Sequence, residues 1–175
     1  MRNDYGALAR LRRTLIGDKL HRVGYSLLPN IAWTANRTAD GVHDADTGVE
    51  LSFRSGAVLS AMWWMEWPCE GLTAHLRSTE DESPWGTNVL TDVSQTKQWR
   101  PLLGGKVRAL EVAWYQPHYA CAEMLLAARL QIRQTNVVLA LGEATDSGIN
   151  YISDEVVVIF NEDIASQYGA GWIWS

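Results

Sequence analysis

Three groups of side chains in this chain are of types that could do chemistry. His43-Asp44-Ala45-Asp46, with Asp40 just upstream, offers an imidazole and carboxylates able to hold a metal ion or to act as acid and base. His118 with Cys121 and Glu123 offers a base near a thiol. Glu66 and Glu143 each follow a strongly apolar run, so each falls just past a central strand, where two carboxylates can do hydrolytic work if the fold turns them toward one another. Each group also has a plainer reading: a solvated turn, a loop histidine beside a buried cysteine, and exposed strand-end glutamates. Motifs with a fixed spacing are missing. There is no Gly-x-Ser-x-Gly elbow and no Gly-x-Gly-x-x-Gly turn. Leu102-Leu103-Gly104-Gly105-Lys106 ends in Gly-Lys but lacks the earlier Gly and the following hydroxyl residue of a phosphate loop. Cys69 and Cys121 have no Cys-x-x-Cys partner, so a structural zinc site is not expected. No cofactor or metal is expected, and the chain reads as leaning away from an enzyme.

The elements that must position these groups follow from periodicity. Leu8, Leu11, Leu15 and Ile16 share one face at helical spacing, with Asp4 as N-cap and Gly17 as stop. Val49, Leu51 and Phe53 alternate with Glu50 and Ser52, which predicts a strand with one wet face. Arg54-Ser55-Gly56 is the turn into Ala57 to Trp64, apolar on both faces and so a covered central strand. Gly71 to Leu76 can add a strand beside it, and Ser78 to Asn88 is a surface loop. Ser94 to Leu103 reads as a second helix and Val107 to Tyr115 as a strand. The Ala- and Leu-rich stretch from Cys121 to Leu130 admits a helix, but its alternation favours a strand. Val137 to Leu141 is buried, Ala144 to Asn150 a polar loop, and Glu155 to Phe160, rich in β-branched residues, a strand. Asn161 caps a short helix through Tyr168, and Trp172 and Trp174 sit in an apolar tail expected to dock on the body.

A weak self-similarity ties these elements together. Leu15-Ile16-Gly17-Asp18-Lys19-Leu20 matches Leu102-Leu103-Gly104-Gly105-Lys106-Val107, and Val49-Glu50-Leu51-Ser52-Phe53-Arg54 matches Ala128-Arg129-Leu130-Gln131-Ile132-Arg133. The expected fold is therefore α+β: a mainly antiparallel sheet built from two tandem helix–strand–hairpin repeats with a short C-terminal helix. It forms a single domain over 1–175, with pseudo-repeats at about 4–77 and 92–168.

Composition narrows the function classes. The chain has 175 residues, 47% of them hydrophobic and 20% charged, which excludes a disordered chain. The net charge of −5 argues against nucleic acid as a partner. No apolar run reaches the ~20 residues of a membrane span. No signal peptide is read at the N-terminus. Two cysteines are too few for a disulfide scaffold, so a reducing cytoplasm is the expected home. Nine Trp against two Phe is unusual, and Trp is enriched where partners dock. Acidic residues gather in loops: Asp40, Asp44, Asp46 and Glu50; Glu80, Asp81 and Glu82; and Asp154, Glu155, Glu162 and Asp163. Asp40, Asp44, Asp46, Glu80, Asp81 and Glu82 are the expected electrostatic contacts for a basic partner, with Trp63 or Trp67, from the run Met62-Trp63-Trp64-Met65-Glu66-Trp67-Pro68, as the anchor.

The order of a helix, a Leu-x-Gly-x-Lys strand, an Asp-x-Gly-Val-Glu-Leu-x-Phe-x-x-Gly hairpin and a late Asp-Glu-Val-Val-Val-x-Phe strand resembles small bacterial immunity proteins. The matching residues are Leu15, Gly17, Lys19, Asp46, Gly48 to Leu51, Phe53, Gly56 and Asp154 to Phe160. Immunity proteins are the cytosolic antidotes that accompany polymorphic or secreted antibacterial toxins. The resemblance implies a non-catalytic protein that binds a cognate toxin domain and blocks its active site or substrate path. Two other expectations stand beside it: a small hydrolase using carboxylates or a His/Asp metal site, marked by bound metal or by a pocket gathering His43, Glu66 and Glu143, and a small-ligand-binding domain with a Trp-lined cavity.

Overall fold

The computed structural model describes residues 5–34, 38–39, 41–145 and 148–168. Asp40, Asp4 and the tail with Trp172 and Trp174 lie outside the described residues. The chain opens with helix α1 (Tyr5–Leu15), whose Leu8, Leu11 and Leu15 are buried while Ile16, expected on the same face, is exposed past the helix end. Strands β1 (Leu20–Leu27), β2 (Thr38–Ala39), β3 (Val42–Asp44), β4 (Gly48–Phe53), β5 (Ala57–Glu66), β6 (Cys69–Ser78) and β7 (Val89–Asp92) follow. A single 3-10 turn at Arg100–Leu102 leads to β8 (Val107–Tyr115), β9 (Met124–Ile132), β10 (Thr135–Thr145), β11 (Gly148–Ile159) and α2 (Glu162–Tyr168). All named strand pairs are antiparallel.

The protein is a sheet-dominated fold with two helices among the described residues, and no helix there is long and apolar enough to cross a membrane. The alternating stretch ending at Ile132 is strand β9, as its period suggested, and Glu155 to Ile159 lies in β11. Asn161 Oδ1 accepts the backbone N–H groups of Asp163 (2.9 Å) and Ile164 (3.3 Å), which is the expected cap of α2. Two expectations fail. The second helix over Ser94 to Leu103 is reduced to one 3-10 turn, because Pro101 and the Gly104-Gly105 pair leave it neither length nor a helical exit. The polar loop over Ala144 to Asn150 is mostly strand, since β10 and β11 run on as a hairpin to Thr145 and Gly148.

Two meanders make the sheet. One runs β1-β4-β5-β6, with β7 on the outer edge of β1; the other runs β8-β9-β10-β11. Among the described residues, backbone hydrogen bonding joins them at three places. β6 meets β9 at one pair, Leu72 opposite Leu125. Gly71 permits that approach, because a Cβ there would stand 2.8 Å from the Cβ of Met124. β3 pairs with β11 and continues through Ala45 to Thr47 into β4, so one bent strand serves both meanders. Finally, the starts of β1 and β8 bond reciprocally: Gly17 N to Val107 O (2.8 Å) and Gly104 N to Leu20 O (2.7 Å), around a bridge between Lys19 and Lys106. Gly17 and Gly104 both take positive φ, 92° and 69°, a region that costs other residues strain. The β1–β4 and β8–β9 ladders each carry an irregularity at the corresponding point, after Leu20 and after Val107. The core draws on every long strand and on α1, whose Arg12 Nε donates to the Leu110 carbonyl at 2.8 Å.

Candidate functional site

Burial sorts the expected site residues into two sets. The His43 group is internal. His43 is 0% exposed, and its ring packs against Tyr25, Trp33 and Phe160. Its Nδ1 is 2.8 Å from the Tyr25 hydroxyl, which also accepts the Trp99 indole N–H at 2.7 Å. Burial lowers the His43 pKa to about 4, with the Gln98 side chain working weakly the other way, and Nε2 has no hydrogen-bond partner of ordinary geometry. Burial also raises the Tyr25 pKa well above its usual value, partly offset by the bond from Trp99.

Asp44 and Asp46 are corrections to the acidic-face expectation. They are 6% and 4% exposed and serve the bend between β3 and β4. Asp44 Oδ1 accepts the Asp46 backbone N–H at 2.8 Å, and Asp46 Oδ2 accepts that of Leu28 at 3.0 Å. Asp46 takes φ of +56°, a conformation that Asp tolerates because its side chain bonds locally. The wet face expected around Glu50 is covered too. The loop after β6 folds back, and Glu50 Oε2 receives Arg77 at 2.6 Å and the Trp85 indole N–H at 2.8 Å. Of the expected carboxylate contacts that are described, Glu80, Asp81 and Glu82 are at the surface, and Asp81 Oδ2 accepts the Ser78 backbone N–H at 2.6 Å.

The other set gathers at the far end of the β5–β6 hairpin. Trp64, Met65, Glu66 and Trp67 stand exposed there, Trp67 at 86%. Trp63 does not join them: it packs partly against the core, so of the two proposed anchors only Trp67 is presented to solvent. Opposite lies the loop after β8, with Tyr119 at 88% exposure and the His118 ring against it, 4.1 Å between centroids. A Cys69–Cys121 disulfide joins the two loops, and no described cysteine is free. Two cysteines make no disulfide scaffold, as expected of so few, but they do form this single bond, because neighbours in space need not be neighbours in sequence. It also removes Cys121 as a nucleophile for His118 while the bond is intact. Gln116 Nε2 donates to the Cys121 carbonyl at 2.7 Å, and the Tyr115 hydroxyl donates to the Glu70 carbonyl at 2.7 Å, so both loops are held from within. Between them is a cleft of about 270 Å³, lined by Trp64, Glu66, Trp67, Pro68, the disulfide and Met124.

The expected contacts are not one patch. Glu66 pairs with Cys69 at one end of the β5–β6 ladder and Ala57 with Ser78 at the other, so Glu80 to Glu82 lie roughly 30 Å from Trp67 at the usual rise per residue. Nor do His43, Glu66 and Glu143 converge. His43 is enclosed by aromatics, Glu66 is exposed at a hairpin tip, and Glu143 pairs with Asn150 on β10. Among the described residues no three His, Cys, Asp or Glu side chains are grouped to hold a metal. Tyr119 escaped the sequence reading, although a signal existed: Trp67-Pro68-Cys69 and Tyr119-Ala120-Cys121 place an aromatic residue two positions before each cysteine. No protein-family model matches the chain, and no curated protein or solved structure matches it either.

Proposed function

We propose that this protein is a non-catalytic binding protein that docks a protein partner through its disulfide-clamped aromatic end, and that it acts as an immunity-type inhibitor covering the active site or substrate path of an antibacterial toxin. One observation carries the docking half: Trp67 and Tyr119 stand almost wholly in water on two loops fastened together by Cys69–Cys121. Exposed apolar area costs about 25 cal/mol per Å², so a fold that holds two large aromatic rings out rigidly gains nothing from them until something covers them. Trp and Tyr are also the residues that most often dominate binding energy. The inhibitor half is supported by the sequence pattern described above. The tandem repeat belongs to this reading as well: it is supported by the reciprocal bonds around Lys19 and Lys106 and by the parallel irregularities after Leu20 and Val107. The disulfide favours an oxidising compartment, where such bonds persist, over the reducing cytoplasm expected from the sequence, so in this reading the inhibitor differs from the cytosolic antidotes it resembles in meeting its toxin outside the cytoplasm.

The test is capture from the native host with the wild-type chain and with Trp67→Ala and Tyr119→Ala. A toxin-like protein retained in stoichiometric amount by the wild type should bind each variant roughly 30-fold more weakly, the loss of about 2 kcal/mol expected of a buried anchor. Undiminished capture by both variants overturns the docking site, and capture of a protein with no toxic activity overturns the inhibitor reading.

A further inference from the structure

The cleft at the clamped end has a charge character of its own. Neither segment that builds it, residues 62–73 or residues 114–124, contains a Lys or Arg, while Glu66, Glu70 and Glu123 all lie within them. Glu66 lines the cleft beside the two indoles of Trp64 and Trp67. The Glu70 carboxylate is close enough to Tyr115 to raise the pKa of its hydroxyl further, though burial is the larger cause. A cavity of about 270 Å³ whose lining includes two tryptophans and a glutamate fits a planar cation on an apolar stem better than it fits a neutral apolar side chain. A guanidinium stacks on indole faces and pairs with a carboxylate in the same pose. A neutral apolar side chain would leave the Glu66 carboxylate to be desolvated without a partner.

We propose that the cleft is an arginine-binding site: an arginine of the protein partner enters between Trp64 and Trp67 and pairs with Glu66. This rests on the docking reading above and names the chemistry of its occupant. The acidic complement to a basic partner then lies beside the aromatic anchor, at the opposite end of the hairpin from Glu80 and Glu82.

The site can be tested on the intact, oxidised chain with a short blocked peptide, Gly-Arg-Arg-Gly, and its citrulline and leucine counterparts, followed through the indole N–H resonances. The arginine peptide should shift the Trp64 and Trp67 signals, more strongly at low salt, and bind roughly tenfold more tightly than the citrulline peptide, which keeps the shape and loses the charge. Glu66→Gln should bring the arginine peptide down to the citrulline level, whereas Glu80→Gln with Glu82→Gln should change nothing. Equal binding of the arginine and citrulline peptides, tighter binding of the leucine peptide, or arginine binding indifferent to Glu66→Gln would overturn the proposal. Glu66→Gln leaves the apolar wall in place, so its folding can be checked by an unchanged indole spectrum. The two readings also separate: a captured partner lost on Trp67→Ala but retained in full by Glu66→Gln keeps the docking site and removes the arginine, and one retained by both removes the docking site too.

Discussion

His43 shows what burial does to a group that looks catalytic on paper. Its ring is enclosed by Tyr25, Trp33 and Phe160, and its pKa falls to about 4 because the charged form cannot be solvated there. In the unfolded chain a histidine titrates near 6.5, so the folded state favours the neutral ring. The stability this contributes is complete above about pH 6.5 and is lost as the pH falls toward 4, with a limit of roughly 3 kcal/mol. Denaturant titrations at steps across that range should show the decline, and His43→Phe should flatten it; a wild-type curve with no slope there would contradict the enclosed ring. Glu50 is a second case. With Arg77 and Trp85 both on one of its oxygens, Glu50→Ala strands a buried guanidinium and should cost about 3–5 kcal/mol, read as a lower denaturation midpoint. At this scale the sequence was a poor guide. His43, Asp44 and Asp46 are polar letters in a turn-like stretch and Glu50 is one on the wet face of a predicted strand, and nothing local says that the loop after β6 and the bent β3–β4 strand will cover them.

At the scale of elements the period of the apolar residues carried most of the information. α1, the β4–β5 hairpin, β9 against its helix-like composition, the Glu155–Ile159 end of β11 and the cap of α2 were all legible, because each is decided by neighbours a few residues apart. The helix expected near Leu103 was not formed, since Pro101 and two glycines outweigh the apolar spacing. What the sequence did not disclose was the clamp. Cys69 and Cys121 are 52 residues apart, and it is the pairing of β6 with β9 that brings their Cα atoms to 5.6 Å. Replacing both by Ser should lower stability by on the order of 4 kcal/mol for a loop of this length. It should also raise hydrogen exchange in residues 116–123 well beyond that in β10. Unchanged exchange there would mean that Gln116 and Tyr115 hold the loop without the bond.

For the whole molecule the question is whether two meanders make one cooperative unit. Val156 in β11 receives the Ala45 N–H and donates to the Asp46 carbonyl, and the starts of β1 and β8 complete each other's hydrogen bonds. Neither meander can satisfy its own backbone, and an unmade buried bond costs about 1–3 kcal/mol. Fragments 4–77 and 92–168 made separately should therefore give poorly dispersed spectra, while the full chain should unfold in one transition with fluorescence and far-ultraviolet signals coincident. A folded fragment would mean that the contact between the halves is incidental.

From sequence alone came the sheet-dominated character of the fold, the strand periods, the matching Gly-x-Lys segments and the crowding of tryptophan near Trp67, since all of these depend on short-range spacing or on composition. The tertiary structure decided which polar groups meet water. Asp44, Asp46 and Glu50 were drawn inward because the β3–β4 bend and the loop over Trp85 needed acceptors for N–H donors that would otherwise be buried unbonded. Trp67 and Tyr119 were left outside because each lies in the connection of a hairpin, β5–β6 and β8–β9, beyond its last paired residues. Burial is a property of the assembled surfaces, and no window of a few residues contains it.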